Sequence, residues 1–444
     1  MLSKRSVAYV TAAVFALTAL LGGCGGQSTP SEGGSGQGEE VSIVFWSAPN
    51  PTQEKLWTTM AEKYMAEHPE VKIEVAPIPE SPSSEAGILT ALTSGTKLTA
   101  SENVFVGFGA QLVDSDQVVP LDTMPGYDEL VKSRKMEELV EGWKFGDGHQ
   151  YIFPLYVNAM LFSWRMDLLK ELGYNEPPRT YSEMIEAGEK LQAKYPDKYL
   201  WARRELIDPS KWWERWFDFF ALYYAASDGA PFLTNKEVTA DRDSAVGVAA
   251  FIKEMNDKGL LLTAEATDPF ETGLTLWGVQ GPWVLPTWAE RFPELKVGDQ
   301  IVLTPPPVPD NFPAGKTPKT FADAKGVVIY KNASPEEQQA AWEFIKWVFS
   351  NPENDATWME MTGLPPARGD LTSNAAFTSY FEANPALKAF ADAVPTAVPP
   401  VMSEKFTDLQ TQMTEEMMIP LINGTKTPEQ AFEAVKAGWE AMLK

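Results

Sequence analysis

The chain has 444 residues, with 61 Asp and Glu against 37 Lys and Arg, a formal net charge of −24, and one cysteine. So acidic a surface repels nucleic acid and anionic head groups, no basic run reverses this locally, and a lone thiol excludes an internal disulfide. At 44% hydrophobic residues the chain can bury substantial cores, and its length suits about two domains.

Lys4 and Arg5 precede a 15-residue apolar run, Val7 to Leu21, that ends in Leu21-Gly22-Gly23-Cys24. This is the layout of a secretory signal, and it falls short of the ~20 apolar residues of a membrane span. The small glycines before the cysteine resemble a lipoprotein signal. Residues 1–23 are therefore expected to be removed and Cys24 lipidated. The next sixteen residues, Gly25 to Glu40, hold six glycines and no apolar cluster; as a flexible tether they would reach roughly 22 Å. Two or more acyl chains anchor a protein stably, so 24–40 would hold a soluble body to the outer face of the cell membrane, with membrane contact through the lipid alone.

Val41–Trp46 reads as a strand, and Thr52–Glu67 as an amphipathic helix carrying Leu56, Met60 and Tyr64. Val71–Ile78 is predicted as a second strand, Ser84–Leu98 as a helix and Asn103–Phe108 as a third strand. This β-α-β-α-β order predicts a parallel sheet with covering helices and a ligand beyond the strands' carboxyl ends, at Trp46-Ser47, Pro79-Glu80 and Phe108-Gly109. Thr180 with Glu183, Ser334 with Glu337 and Thr427 with Gln430 match capping boxes and start three later helices. Trp342, Trp347 and Trp439 on these helices are expected in the core. The proline-rich stretch from Leu303 to Pro318 reads as an extended connection between domains.

The two histidines, His68 and His149, have no partner at metal-ligand spacing. Neither accompanies a G-x-S-x-G elbow, and no Walker, EF-hand or dinucleotide motif occurs. No catalytic residue, metal or cofactor is expected, although a pair of glycosidase carboxylates is not excluded by composition. Tryptophan is the distinctive residue. Seven of fifteen, Trp201, Trp212, Trp213, Trp216, Trp277, Trp283 and Trp288, fall between 201 and 288. Indole faces stack on the C–H faces of pyranose rings while amides and carboxylates bond the hydroxyls. In WWERWFDFF a helix would put Trp212, Trp216 and Phe219/Phe220 on one stripe and leave Trp213 free for a ligand. Gly281-Pro282 forces a turn that holds Trp283 at an exposed bend. Trp201, Arg203, Trp213, Trp277, Gln280 and Trp283 are candidate ligand contacts from this region, and Glu80 is one from the strand ends.

VSIVFWSAPN, ENVFVGF before VVPLD, YIFPLYVNAMLFSWRMDLLKELG, GVQGPW, IVLTPPPVP, KGVVIYKNASPEEQQAAWEFIKWVFSNPE and TGLPPARG occur in that order. Together they resemble family 1 extracellular solute-binding proteins, the sugar receptors of ABC importers, which include the maltose-binding protein. The resemblance implies a two-lobed α/β periplasmic-binding-protein fold (type II), each lobe a mostly parallel sheet with covering helices. One lobe would be 41–154 plus 321–367 and the other 155–320 plus 368–444. It places sugar stacking on Trp283 and further contacts on Trp46, Ser47, Phe108, Tyr156, Asn158 and Arg368. Two departures stand out: GFGA ends the third strand where relatives often have an acidic residue, and FADAKG replaces a glycine pair, with Asp323 as an alternative carboxylate. The implied function is a monomeric receptor that closes on a mono- or oligosaccharide and delivers it to the permease subunits. A non-sugar solute such as a peptide, polyamine or metal chelate, or a carbohydrate-active enzyme using two carboxylates, are the alternatives.

Overall fold

Val41–Ser47 (β1) buries Ile43, Phe45 and Trp46 and pairs in parallel with Val71–Pro77 (β2), Val41 opposite Val71 and Ser47 opposite Pro77. The computed structural model describes residues 40–80, 83–141, 143–234, 236–401 and 403–444; the signal, Cys24 and the tether as far as residue 39 lie outside them. Between β1 and β2 runs helix Pro51–Glu67. Asn50 caps it by accepting from the Thr52 N–H, proline occupies its first turn, and Leu56, Trp57, Met60 and Tyr64 turn inward. Helix Ser84–Ser94, capped by Ser83 and closed by left-handed Gly95, leads to Ala100–Val104 (β3), which joins the free side of β1 in parallel.

The third strand ends earlier than the pattern suggested. Asn103 takes a left-handed φ of 67°, and helix Val106–Asp114 starts two residues after the strand. Phe108 therefore lies on a helix, buried in the core.

Phe153–Ala159 (β4), Leu161–Arg165 (β5), Trp201–Ala202 (β6), the small hairpin Leu233–Thr234 (β7) and Glu237–Val238 (β8), Leu261–Leu262 (β9), Trp277–Gln280 (β10), Ile301–Thr304 (β11), Thr320–Ile329 (β12) and Ala397–Val398 (β13) complete the strands. The large sheet runs β13-β12-β3-β1-β2, with β4 also paired to β12. β12 is antiparallel to both β3 and β4. A Cβ at Gly326 would lie 2.4 Å from the Phe153 carbonyl oxygen, so only glycine lets these two strands approach there. The remaining strands, expected in the second lobe, form separate sheets rather than one mostly parallel sheet: the three-stranded β10-β5-β11 is antiparallel, and β6 and β9 make a two-stranded parallel sheet, with an isolated parallel bridge from residue 199 to 275.

Among the described residues two large hydrophobic cores form, with a small third cluster of Phe270, Trp288, Leu295 and Ile301. The first gathers Phe45, Trp57, Phe344, Phe349 and Trp358; the second gathers Trp164, Trp201, Phe220, Trp277 and Trp439. β12 serves both, since Phe321 belongs to the second and Ala322 to Ile329 supply the first. Leu371, Phe377, Phe381 and Leu387 pack in the first core, although the sequence after 367 was expected in the second lobe. These side chains follow the loop that Arg134 ties to the first core. All three capping boxes form. Trp342 and Trp439 are buried. Trp347 is only half-buried, its indole N–H donating to Glu67 at 3.1 Å.

Candidate ligand-binding cleft

Residues two apart on a strand share a face, and on β12 Phe321, Asp323 and Lys325 face a cleft of about 530 Å³. One wall comes from the carboxyl ends of the first three strands and the helices that follow them: Asn50, Gln53, Glu80, Ser83, Ser84, Glu85, Asn103 and Phe105. The other is aromatic, with Trp212, Trp213, Trp216, Phe217 and Trp283, and Lys211 at its rim. Tyr156 from β4, Leu364 and Pro400 close the remainder.

The aromatic wall depends on an unusual local structure. Pro209–Trp216 is not the α-helix suggested by WWERWFDFF. It is a 3₁₀ segment kinked at Lys211 (φ −98°, ψ 45°), and an α-helix begins only at Phe219, where Asp218 accepts from the Phe219 N–H. At three residues per turn, positions i and i+3 eclipse. Trp213 and Trp216 both reach the cleft. Trp216 stacks on Phe321 (5.2 Å between ring centroids, 9° between planes), Trp213 meets Trp212 edge-on at 5.6 Å, and the Lys211 ammonium sits 4.8 Å from the Trp213 ring. Trp283 is 38% exposed and touches Phe217 edge-on at 6.0 Å. Its ring lies against Gly281, where a Cβ would come within 2.1 Å of it. The Gly-Pro-Trp turn thus works through close approach of ring to backbone.

The polar wall is organised by a buried carboxylate. Glu102, on β3, has no exposed surface; the Ala48 N–H donates to its Oε1 (2.7 Å) and the Gln53 amide to its Oε2 (3.1 Å). Burial pushes its carboxyl up to about 7 against those hydrogen bonds and the Lys325 charge. Lys325 donates to Asn103 Oδ1 (2.7 Å), and Asn103 donates to Ser84 (3.3 Å). Asp323, buried but for a narrow exposed face, is likewise raised by burial, with Lys325 opposing. Burial, then Asp323 and Glu102, raise the Tyr156 phenol well above its usual value.

Of the residues singled out from the sequence, Glu80, Tyr156, Trp213, Trp283 and Asp323 line the cleft. The others lie elsewhere, each for a visible reason. Trp46 and Ser47 are buried at the end of β1, so the cleft is met by Asn50 and Gln53 a few residues later. Phe108 is turned into the core by the early helix. Asn158, opposite Asp323 on the β4–β12 ladder, is fully buried, with neither amide atom hydrogen-bonded. Trp201 and Trp277 pack against each other inside the second core, their rings tilted by 58° with centroids 4.7 Å apart. Gln280, on the edge of β10, is half-buried away from the lining.

Arg203 is held by Glu214 (2.6 Å) and Asp218 (3.4 Å). Arg368 is held by Asp355 (2.9 Å) and Asp370 (2.8 Å), beside the fully buried Arg134–Asp355 pair. Guanidinium groups already satisfied by two carboxylates are committed to structure. The sequence reading missed Asn50, Gln53, Asn103, Phe105, Lys211, Phe217, Phe321 and Lys325. Asn50 carried a signal as the residue before a proline-led helix, and Phe321 and Lys325 carried one as alternate neighbours of Asp323.

An open groove with one aromatic and one hydrogen-bonding wall, built at the junction of two cores, defines a protein that holds a small solute. The chain belongs to the bacterial extracellular solute-binding protein family, whose model matches residues 59–389. It is 22% identical over 334 residues to the maltotriose-binding protein of Pyrococcus abyssi (strain GE5 / Orsay), a match covering 73% of this chain and 64% of that protein, less than two thirds of its length. Among solved structures it is similar to protein lmo0859 of Listeria monocytogenes EGD-e, with 46% identity, 91% of this chain and 100% of that chain covered, and a TM-score of 0.81. The cyclic alpha-maltosyl-1,6-maltose binding protein of Arthrobacter globiformis shares the fold at 19% identity, with 92% of this chain and 100% of that chain covered and a TM-score of 0.75.

Proposed function

We propose that this protein is the sugar receptor of an ABC importer, capturing a mono- or oligosaccharide in the cleft and handing it to the permease when two lobes close. The observation that carries the reading is one groove that brings together the exposed indole of Trp283, the half-buried indole of Trp213 and unengaged acceptors such as Asp323. Pyranose rings present apolar faces to the former and hydroxyl donors to the latter. Relatives named for maltotriose and cyclic maltosyl-maltose support the same class. The lobes of this proposal are 41–154 with 321–367 around the first core and 155–320 with the end of the chain around the second, with the hinge in β4 and β12. Residues 371–391 go with the first core by their packing. A micromolar ligand supplies about 8 kcal/mol, enough to close a hinge whose two states differ by a few kcal/mol.

The family is one of solute-binding proteins, and in this reading Asp323 and Glu80 bind without cleaving. Cleavage of 1–23 and lipidation of Cys24 would hold the receptor at the outer face of the membrane; Cys24→Ser should then release it into the medium. The decisive experiment is a thermal-shift and calorimetric panel of gluco-oligosaccharides, polyamines and peptides on the purified protein. A ligand at 100 times its Kd adds about 2.7 kcal/mol of stability. Stabilisation by an oligosaccharide that stays intact on long incubation is expected. A shift with amines or peptides only, or release of reducing ends, overturns the reading.

A further inference from the structure

Pro209–Trp216, which carries the tryptophan wall, is 3₁₀ backbone broken by a non-helical Lys211, so only a short stretch through the tryptophans is regular and few internal hydrogen bonds support it. Something outside it must hold its shape. Helix Phe406–Met413 packs along it and then passes through a π turn, Thr414–Met418, before continuing as Ile419–Ile422. Isolated π turns recur at functional sites because they re-aim the side chains around them. Two side chains of this stretch bond the segment that carries the tryptophans. Gln410, 1% exposed, is satisfied when its amide donates to the Trp212 carbonyl (3.1 Å) and accepts from the Trp216 indole N–H (2.7 Å). Thr414, fully buried on the π turn, accepts from Arg215 Nη1 at 3.0 Å and donates back to the Gln410 carbonyl at 3.1 Å. Arg215 also grips Asp218 through two bonds (3.0 and 2.6 Å).

We propose that Gln410, seconded by Thr414, is a positioning residue for ligand recognition: it fixes the backbone of Trp212 and the indole of Trp216 and thereby sets the pose of the aromatic wall. Neither residue lines the cleft, so both act through the tryptophans. The inference rests on the cleft being the sugar site proposed above.

The test is calorimetric titration with maltotriose, or with whichever oligosaccharide of the panel binds the wild type, of wild type, Gln410→Leu, Thr414→Val, Trp216→Phe and the double variant Gln410→Leu/Trp216→Phe. Melting of each ligand-free protein is measured alongside. Loss of the two bonds in Gln410→Leu should weaken binding about tenfold, and Thr414→Val should move affinity in the same direction. In the Trp216→Phe background, which lacks the indole N–H, Gln410→Leu should weaken binding by only about twofold, because the coupled partner is gone. A lowered melting temperature with wild-type affinity, or an equal loss of affinity in both backgrounds, overturns the positioning role. Thr414→Val and Trp216→Phe preserve shape and keep the question open to refutation should Gln410→Leu fold poorly. Failure of the wild type to bind any sugar would defeat the underlying reading and is scored on its own arm.

Discussion

Replacing Trp283 by alanine removes an indole left partly exposed beside the cleft, so its effect falls more on binding than on folding. The ring is 38% exposed; taking the ~250 Å² that a large aromatic side chain can bury, about 95 Å² remains for a ligand to cover. At about 25 cal/mol per Å², covering half to all of that area contributes about 1.2 to 2.4 kcal/mol, a loss of about 8- to 60-fold in affinity on truncation. In the ligand-free protein the ring's aromatic partner is Phe217, edge-on at 6.0 Å, a pair worth about 0.5–1.5 kcal/mol. The variant should therefore melt within a few degrees of wild type while its calorimetric Kd rises by one to two orders of magnitude. Unchanged affinity across the oligosaccharide panel would refute the stacking role. A collapse in melting temperature would mean that the ring is part of the core after all.

Gly281→Ala should reproduce much of that loss with Trp283 still present, because the new methyl would meet the indole at 2.1 Å and displace it; wild-type affinity in calorimetry would break the link between the turn and the ring. Asp323→Asn keeps volume but removes the charge that a ligand hydroxyl would meet, and a charge-assisted hydrogen bond of about 1.5–3 kcal/mol gives a ten- to hundredfold weaker Kd; a change under twofold would place the ligand away from β12. Glu102 titrates near 7 when folded against 4.5 as its ordinary value, so between those values the folded chain holds a proton that the unfolded chain has lost. Its contribution is fully present below about pH 4.5, declines as pH rises, and is gone above about 7. Glu102→Gln should therefore flatten the fall in urea-denaturation stability between pH 5 and 8 that this group contributes, and an identical pH slope in both proteins would contradict that assignment.

The parts of the fold legible in the sequence were those set by short-range chemistry. The first strand and helix followed from apolar period, and Thr180–Glu183, Ser334–Glu337 and Thr427–Gln430 fixed three helix starts through side chains three residues apart. The site was less legible because its residues are chosen by tertiary packing. Trp201, Trp277 and Trp283 look alike in sequence, yet the first two pack inside the second core while the third, pressed against Gly281, stays partly exposed. Arg368 has the chemistry of a ligand contact, but Asp355 and Asp370 claim its guanidinium from positions 13 residues before it and two after. The 3₁₀ geometry that turns Trp213 and Trp216 to one side has no local signal, since it is held by Gln410, Thr414 and Arg203 from distant segments.

The two walls of the cleft draw unequally on the two cores, with Trp212 in the first and Trp213 packed against both. Asn50, Gln53, Glu80 and Asn103 stand on elements of the first core, whereas Trp216 is a member of the second and Phe217 packs against it. β12 runs through both and carries Phe321, Asp323 and Lys325 between them. A solute that touches both walls is therefore sensitive to how the two cores are set against each other, and its apparent Kd is the intrinsic value divided by the fraction of molecules in the competent arrangement. Substitutions that shift that fraction should scale the affinity for every bound sugar by a common factor, while substitutions at Trp283 or Asp323 should change affinities unequally between sugars. Comparing ratios across the panel separates the two kinds of residue, and by this criterion Gln410→Leu should behave like a wall variant, because the bonds it removes shape the indole surface itself.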